Sequence, residues 1–502
     1  MSGLGHYARN VGMLVGQSFV QRVLGMVTTI ILARILGASG YGVYGVVSAT
    51  STSIYGLSRL GIDAALHVTT AEGYSGTEGR RRMEELLGAG LVLLALGGAL
   101  GGLACLAISE TIADHLFDRP DLEIWIRIAG VAVVLQSLSQ FCYATLAGLH
   151  RFAEYALVML ASAVMNLIAI SLGALIADVG GAVGGLIAAQ AATTLGLTLA
   201  TRHSLGREAL SLSFAQLARR AATLMKFGVP YYVAGTIAIP GAYVAQGLVV
   251  RHAGLEAAGY LRVVIAITTI VSFVPTSAAA AMISMFARTR TQSAEEFACR
   301  IMLNFRLIFV FAVTTAICLA AALPWLVPVV FGRDFGAAIG PASIGLLTAV
   351  LASCYGIVTN ALLSSRRVFS MGTLSLFQAS LFILLAVLLI PDLGLTGFLL
   401  AELAGYAFAL LVALIAGASW FRASGVSFGW MGWAMAPLGV LAVNAVRTLS
   451  ADAIPSPGEV TARIAVVLLT LASTYALVLT KEERALLRPA ALLGWAVRRR
   501  QS

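Results

Sequence analysis

Charge is what this sequence lacks first. Of 502 residues, 11% are Asp, Glu, Lys or Arg and 59% are hydrophobic, a balance that soluble globular domains do not show. A soluble enzyme or binding module is excluded, and an integral membrane protein is implied. Cysteine is nearly absent as well. Cys105, Cys142, Cys299, Cys318 and Cys354 are scattered with no C-x-x-C pair, so they indicate neither a disulfide framework nor a zinc site and read as packing residues. Strict alternation is missing too. The apolar stretches are continuous for about 20 residues, whereas barrel strands would alternate over about 10, so the chain is read as all-α. The outer loops are short, the longest lying around Asp114 to Asp121, and contain no convincing acid/base pair, which argues against a membrane glycosyltransferase or polymerase.

Apolar segments fall at 11–33, 41–65, 85–108, 124–147, 153–177, 180–201, 228–250, 259–286, 302–330, 337–363, 368–390, 394–418, 430–449 and 460–480, which predicts 14 transmembrane helices. The first, preceded by His6 and Arg9, mimics a secretory signal, but Gln and Arg interrupt it and no small-residue cleavage pattern follows, so it reads as a retained helix. The formal net charge of +10 would suggest nucleic acid in a soluble protein. Here the positive residues alternate with the crossings: 22 of the 33 Lys and Arg residues fall in alternate loops and the two ends. These are then cytoplasmic, with both termini inside and no nucleic-acid partner.

"SLSFAQLARRAATLMKF", residues 211–227, can place Leu217, Ala221 and Leu224 on one face and Arg219, Arg220 and Lys226 elsewhere. That pattern suits a helix lying on the inner membrane surface. The tail "LLGWAVRRRQS" reads as a topology anchor.

The chain repeats itself at a spacing of about 213–217 residues. "RILGASGYGVYGVV" from Arg34 aligns with "RHAGLEAAGYLRVV" from Arg251, pairing Gly37 with Gly254 and Gly42 with Gly259. "LAGLHRF" (Leu146 to Phe152) corresponds to "LLSSRRVF" (Leu362 to Phe369), and "DVGGAVGGL" (Asp178 to Leu186) to "DLGLTGFLL" (Asp392 to Leu400). Equivalent points are separated by an even number of crossings. The expected architecture is two like-oriented six-helix lobes, residues 1–210 and 211–425, related by a pseudo-two-fold along the membrane normal. Residues 426–502 add two spans and a basic tail.

Polar residues inside the spans mark candidate binding positions. On a helical wheel of the first span, Gln17, Gln21 and Arg22 share one arc. On the second, Ser48, Thr52, Tyr55, Arg59 and Asp63 form one stripe at three- or four-residue steps. An Arg at the bilayer centre costs about 2.5–3.5 kcal/mol on insertion scales, so Arg22 is read as facing a cavity or a partner. Arg59 and Asp63 equally suit a mutual i,i+4 pair. In the second half, Tyr232, Thr236, Tyr243 and Gln246 make an uncharged stripe offering aromatic and hydroxyl groups to sugars. Arg306 and Glu402 are further intramembrane charges. Asp63 and Glu402 are candidates for sodium or proton coupling, with pairing to a neighbouring helix the alternative.

These stretches carry a resemblance. "ILARILGASGYGVYGVV", "LGIDAALHVTT", "LAGLHRFAEYALVMLASAVMNLIAI" and "MKFGVPYYVAGTIA" together resemble the polysaccharide-biosynthesis flippases of the multidrug/oligosaccharidyl-lipid/polysaccharide exporter superfamily. The resemblance covers essentially the whole chain through order and spacing of degenerate motifs. It implies transport of an undecaprenyl-pyrophosphate-linked oligosaccharide from the inner to the outer leaflet of the cytoplasmic membrane. It also implies a neighbourhood of polysaccharide polymerase and glycosyltransferases, no resident cofactor, and arginines at Arg22 and Arg59 facing the substrate. Many relatives have Asp where this chain has Arg59. A drug exporter of the same superfamily is the rival; such relatives usually have 12 spans and an acidic N-lobe residue.

Overall fold

The computed structural model describes residues 2–71, 76–149, 151–202, 213–236, 238–365 and 368–416, with single positions between 465 and 478. The expected spans at 430–449 and, for the most part, 460–480, the basic tail and most of the 426–502 segment lie outside the described residues.

All regular elements among the described residues are helical. They are α1 (Ser2–Ser58), α2 (Ile62–Ala71), α3 (Gly76–Thr111), α4 (Glu123–Gly148), α5 (Phe152–Thr201), α6 (Phe214–Thr236), α7 (Ala238–Gln292), α8 (Ala294–Val330), α9 (Ile339–Ser364) and α10 (Val368–Ala416). A π-helical turn, Ile112–Phe117, closes α3, and short 3₁₀ turns precede α4 and α9. Among the described residues, eight stretches are long and apolar enough to cross a membrane. Four of them, 41 to 50 residues long, have about twice the length one crossing needs, and each contains a break.

The breaks follow the repeat. Gly37 (φ 62°, ψ −176°) interrupts α1, and Gly254 (φ 81°, ψ 174°) interrupts α7 in nearly the same conformation, one that essentially only glycine adopts. Asp178 (φ 46°, ψ −132°) interrupts α5, and Gly394 (φ 54°, ψ −128°) interrupts α10. The sequence alignment paired Asp178 with Asp392, two residues short of this conformational match. Just past α4 and α9, Leu149 (φ −82°, ψ 6°) and Ser365 (φ −85°, ψ 6°) adopt the same terminal geometry.

One expected span is drawn differently in the structure. The second span ends at Ser58 rather than 65, because Leu60 (φ 47°) and Gly61 (φ 71°) are left-handed and turn the chain into the separate α2. The described part of the amphipathic stretch, from Phe214, lies on α6, a helix distinct from the candidate span that begins at Ile239, and its Leu217 and Leu224 pack with Leu66, Leu86 and Phe141 from α2, α3 and α4. Charge fixes this docking. The buried carboxylate of Glu85 on α3 accepts from Arg220 Nε (2.8 Å) and Nη2 (2.7 Å).

The chain forms two compact units, one of residues 1–263, 330–335 and 379–398, the other of 264–329, 336–378 and 399–502. Within the first, repeat-related residues meet reciprocally. A Cβ on Gly42 would collide with the carbonyl of Leu255, and one on Gly259 with the carbonyl of Ala38. Such glycines let helix backbones touch, the usual means of packing helices in lipid. Arg34 Nε donates to Val330 O (2.8 Å), and its repeat partner Arg251 donates through Nη1 to His115 O (2.8 Å). Both guanidiniums therefore satisfy carbonyls near the end of a helix in the other half of the repeat. In the second unit, Phe286, Phe305 and Phe309 are fully buried, and Arg290 Nη1 donates to Ser365 O at 2.8 Å. Large apolar side chains such as Leu96, Leu100 and Leu103 on α3 stand exposed along one face, the stripe expected toward lipid.

Candidate functional site

A cavity of about 380 Å³ opens inside the first unit. Gln21 comes from the first segment of α1, and Thr52 and Tyr55 from the second. α4 contributes Gln136, Ser139, Gln140 and Tyr143, and α5 contributes Tyr155, Met159, Ser162 and Asn166 before its break and Gln190, Thr193 and Leu197 after it. Each helix supplies them at three- or four-residue steps, so one face of every helix turns inward. Carboxamides and hydroxyls dominate, and none of the described residues of this lining is charged.

Part of the lining is bonded to itself. Ser139 Oγ and Thr194 Oγ1 share a hydrogen bond of 2.8 Å, and Gln190 Nε2 donates to Ser139 Oγ at 3.1 Å. Asn166 Nδ2 donates to Ser162 O (2.9 Å), and Gln17 Nε2 to Gln21 Oε1 (2.8 Å). Gln136 and Gln140 are half-buried and hydrogen-bond to no described residue.

A charged pair flanks this cavity. Arg59 Nη1 donates to Asp63 Oδ2 at 3.1 Å. The Arg59 guanidinium carbon also lies 5.9 Å from the centroid of the Tyr55 ring, which lines the cavity. The two residues sit on either side of the break at Leu60 and Gly61: the cation follows the last turn of α1, and the anion lies in the first turn of α2. Each charge favours the helix end beside it. The expected stripe from Ser48 to Asp63 therefore spans two helices, and Asp63 reaches Arg59 across the bend.

The other candidate residues are distributed as follows. Gln17 is buried next to Gln21, and Arg22 is half-buried one residue beyond it. Tyr232 donates through its hydroxyl to Leu57 O at 3.1 Å. Tyr243 is buried, with its hydroxyl 2.8 Å from Thr50 Oγ1 and its ring edge-on to Phe117. Gln246 neighbours it around a void of about 10 Å³, too small for a ligand. Glu402 belongs to the second unit, one turn before Tyr406, whose ring meets Tyr355 edge-on at 6.0 Å. Among the described residues, no cluster of three or more His, Cys, Asp or Glu could hold a metal ion.

Of the cavity lining, the helical wheels of the first two spans had pointed to Gln21, Thr52 and Tyr55. The residues from α4 and α5 escaped that reading, although Gln136, Gln140 and Tyr143, and Tyr155, Ser162 and Asn166, carry the same periodic signal.

Long, broken helices of membrane-spanning length around a polar interior define an integral membrane protein of the multi-pass helical class. The chain belongs to the family described as polysaccharide biosynthesis protein, whose profile matches residues 7–290. No curated protein sequence matches it. The fold is shared with the lipid II flippase MurJ in an inward closed conformation, at 13% identity over 95% of this chain and 100% of that one, with a TM-score of 0.69. An inward-facing multidrug resistance MATE family transporter of the MOP superfamily is similar at 15% identity over 81% of this chain and 95% of that one, TM-score 0.67. A MOP superfamily transporter from Pyrococcus furiosus, described as having a binding pocket of reverse polarity, matches at 14% identity over 83% and 95%, TM-score 0.54.

Proposed function

We propose that this protein moves a lipid-linked oligosaccharide, carried on a polyprenyl pyrophosphate, from the cytoplasmic to the outer leaflet of the inner membrane for cell-surface polysaccharide synthesis. The observation that carries the reading is a polar cavity enclosed by membrane helices in a chain of a polysaccharide-biosynthesis family. Sugars need hydroxyl and amide partners while crossing hydrocarbon, and the polyprenyl tail can stay in lipid throughout. Both termini are cytoplasmic in this reading, and polymerases and glycosyltransferases act on either side of the step.

Arg22, next to the cavity residue Gln21, neutralises the pyrophosphate as it enters. A guanidinium suits this because it binds phosphate through several fixed donors and gives up hydration more readily than an ammonium. With the cell interior negative, outward movement of each negative charge is favoured by about 2.3 kcal/mol per 100 mV, so the membrane potential assists without a resident cofactor. Where a sodium ion or proton adds to this, Glu402 is the better candidate, since Asp63 is held by Arg59. An antiporter of cationic drugs is disfavoured because no described residue of the cavity lining is a carboxylate.

The test is a leaflet-resolved assay of an undecaprenyl-pyrophosphate-linked oligosaccharide in proteoliposomes. Headgroup exposure should depend on the protein and be abolished by Arg22→Ala without loss of the folded state. Exposure at the rate of empty vesicles would overturn the function, and unchanged exposure in the variant would overturn the role of Arg22.

A further inference from the structure

We infer that the cavity takes an uncharged sugar ring of the transported lipid, leaving the pyrophosphate outside it and discriminating against acidic sugars. This rests on the transport reading above and assigns one part of the substrate to one place.

The first argument is charge. Among the described residues, the lining holds no Arg, Lys, His, Asp or Glu. A phosphate, a uronate or an organic cation held against these groups leaves water with no counter-charge among them, and the flanking Arg59 and Asp63 are already committed to each other, so its entry is unfavourable. The second is unmet bonding. Gln136 and Gln140 lie one helical turn apart on α4, line the cavity and hydrogen-bond to no described residue. Polar groups at membrane depth are tolerated where protein, water or a ligand satisfies them. Each carboxamide presents a donor and an acceptor in one plane, matching adjacent ring hydroxyls or an N-acyl group.

The network supplies the complement. Asn166 and Gln190 each commit one amide N–H, to Ser162 O and Ser139 Oγ, which fixes their planes and leaves their oxygens as acceptors. The rings of Tyr143 and Tyr155, with centroids 4.7 Å apart and planes inclined by 48°, add aromatic faces for the C–H side of a pyranose. A volume of about 380 Å³ lies at the lower end of small-ligand pockets, which suits a sugar unit rather than a whole lipid-linked oligosaccharide.

The full-length protein in lipid nanodiscs would be titrated with three probes: undecaprenyl pyrophosphate, the same lipid bearing N-acetylglucosamine, and the same lipid bearing glucuronate. The N-acetylglucosamine form should bind about tenfold more tightly than the bare lipid, the gain expected from two neutral hydrogen bonds. The glucuronate form should bind no better than the bare lipid. Gln136→Leu with Gln140→Leu should remove the sugar's gain and leave bare-lipid affinity unchanged; Gln136→Met with Gln140→Met, closer in shape, should do the same. Equal binding of the bare and N-acetylglucosamine lipids, tightest binding of the glucuronate form, or an equal loss for all probes in the variants would overturn the inference alone. Failure of all three lipids to bind would overturn the transport reading and the inference with it. The wild-type ranking needs no variant to fold.

Discussion

Replacing Arg59 separates two roles that its position allows. In the structure it bonds Asp63 at 3.1 Å, and the two side chains are 30% and 14% exposed. A fully exposed i,i+4 pair is worth about 0.3–0.5 kcal/mol, and breaking a buried one costs about 3–5 kcal/mol. This pair is partly buried and has a single hydrogen bond, with Arg59 Nε and Asp63 Oδ1 unmet, so about 1–3 kcal/mol is the reasonable interval between those limits.

Arg59→Ala should therefore lower the thermal stability of the detergent-solubilised protein, and Asp63→Ala should lower it by a similar amount. In the exchanged variant, Arg59→Asp with Asp63→Arg, each charge faces the unfavourable helix end, a penalty of about 0.3–1 kcal/mol apiece. The exchange should consequently recover only part of the loss. A thermal double-mutant cycle measures the coupling. Leaflet-resolved flipping in vesicles, corrected for folded protein, should fall little in the exchanged variant. Arg59→Ala that keeps full stability yet stops flipping would refute the reasoning and return Arg59 to the substrate.

Other perturbations address the framework. Gly37→Ala and Gly254→Ala should each destabilise by about 1–3 kcal/mol through backbone strain alone, since no atom lies within 4 Å of the added methyl position; a thermal shift no larger than that of a helix-surface Ala substitution would contradict this. Gly259→Val forces a side chain against the Ala38 carbonyl and should cost at least the 1–3 kcal/mol typical of overpacking, read as reduced folded yield on size-exclusion chromatography. Glu85→Ala leaves Arg220, 14% exposed, without its carboxylate and should loosen α6, seen as faster proteolysis between residues 203 and 236. Glu85→Gln should fall between Glu85→Ala and wild type.

The apolar helices among the described residues were legible because continuous apolar runs of this length have one stable form in lipid. The repeat was legible because Gly37 and Gly254 are needed for a backbone conformation that other residues resist, which leaves a mark in sequence. The break at Leu60 was not. Leucine gives no warning of a left-handed conformation, so the second span was drawn through to 65. Likewise, the stripe containing Arg219 and Arg220 gives no sign of where α6 docks, because its carboxylate partner, Glu85, is 134 and 135 residues away.

The cavity was half visible. A polar arc on one helix shows that something wet or polar lies beside it but not which helix answers. Gln21, Thr52 and Tyr55 meet α4 and α5 residues around an open space, whereas the similar stripe bearing Tyr243 meets Thr50 and closes. Periodicity reads alike in both cases. The distance to the opposite wall distinguishes them.

The paired approach of Gly42 to Leu255 and of Gly259 to Ala38 has the symmetry of an isologous interface, in which one patch is its own partner. Two separate half-length chains could form the same junction about a dyad, so fusing the genes would preserve a dimer's seam inside a single polypeptide. Once joined, the copies are free to diverge elsewhere, and the Gln-rich pocket on one side need have no twin on the other.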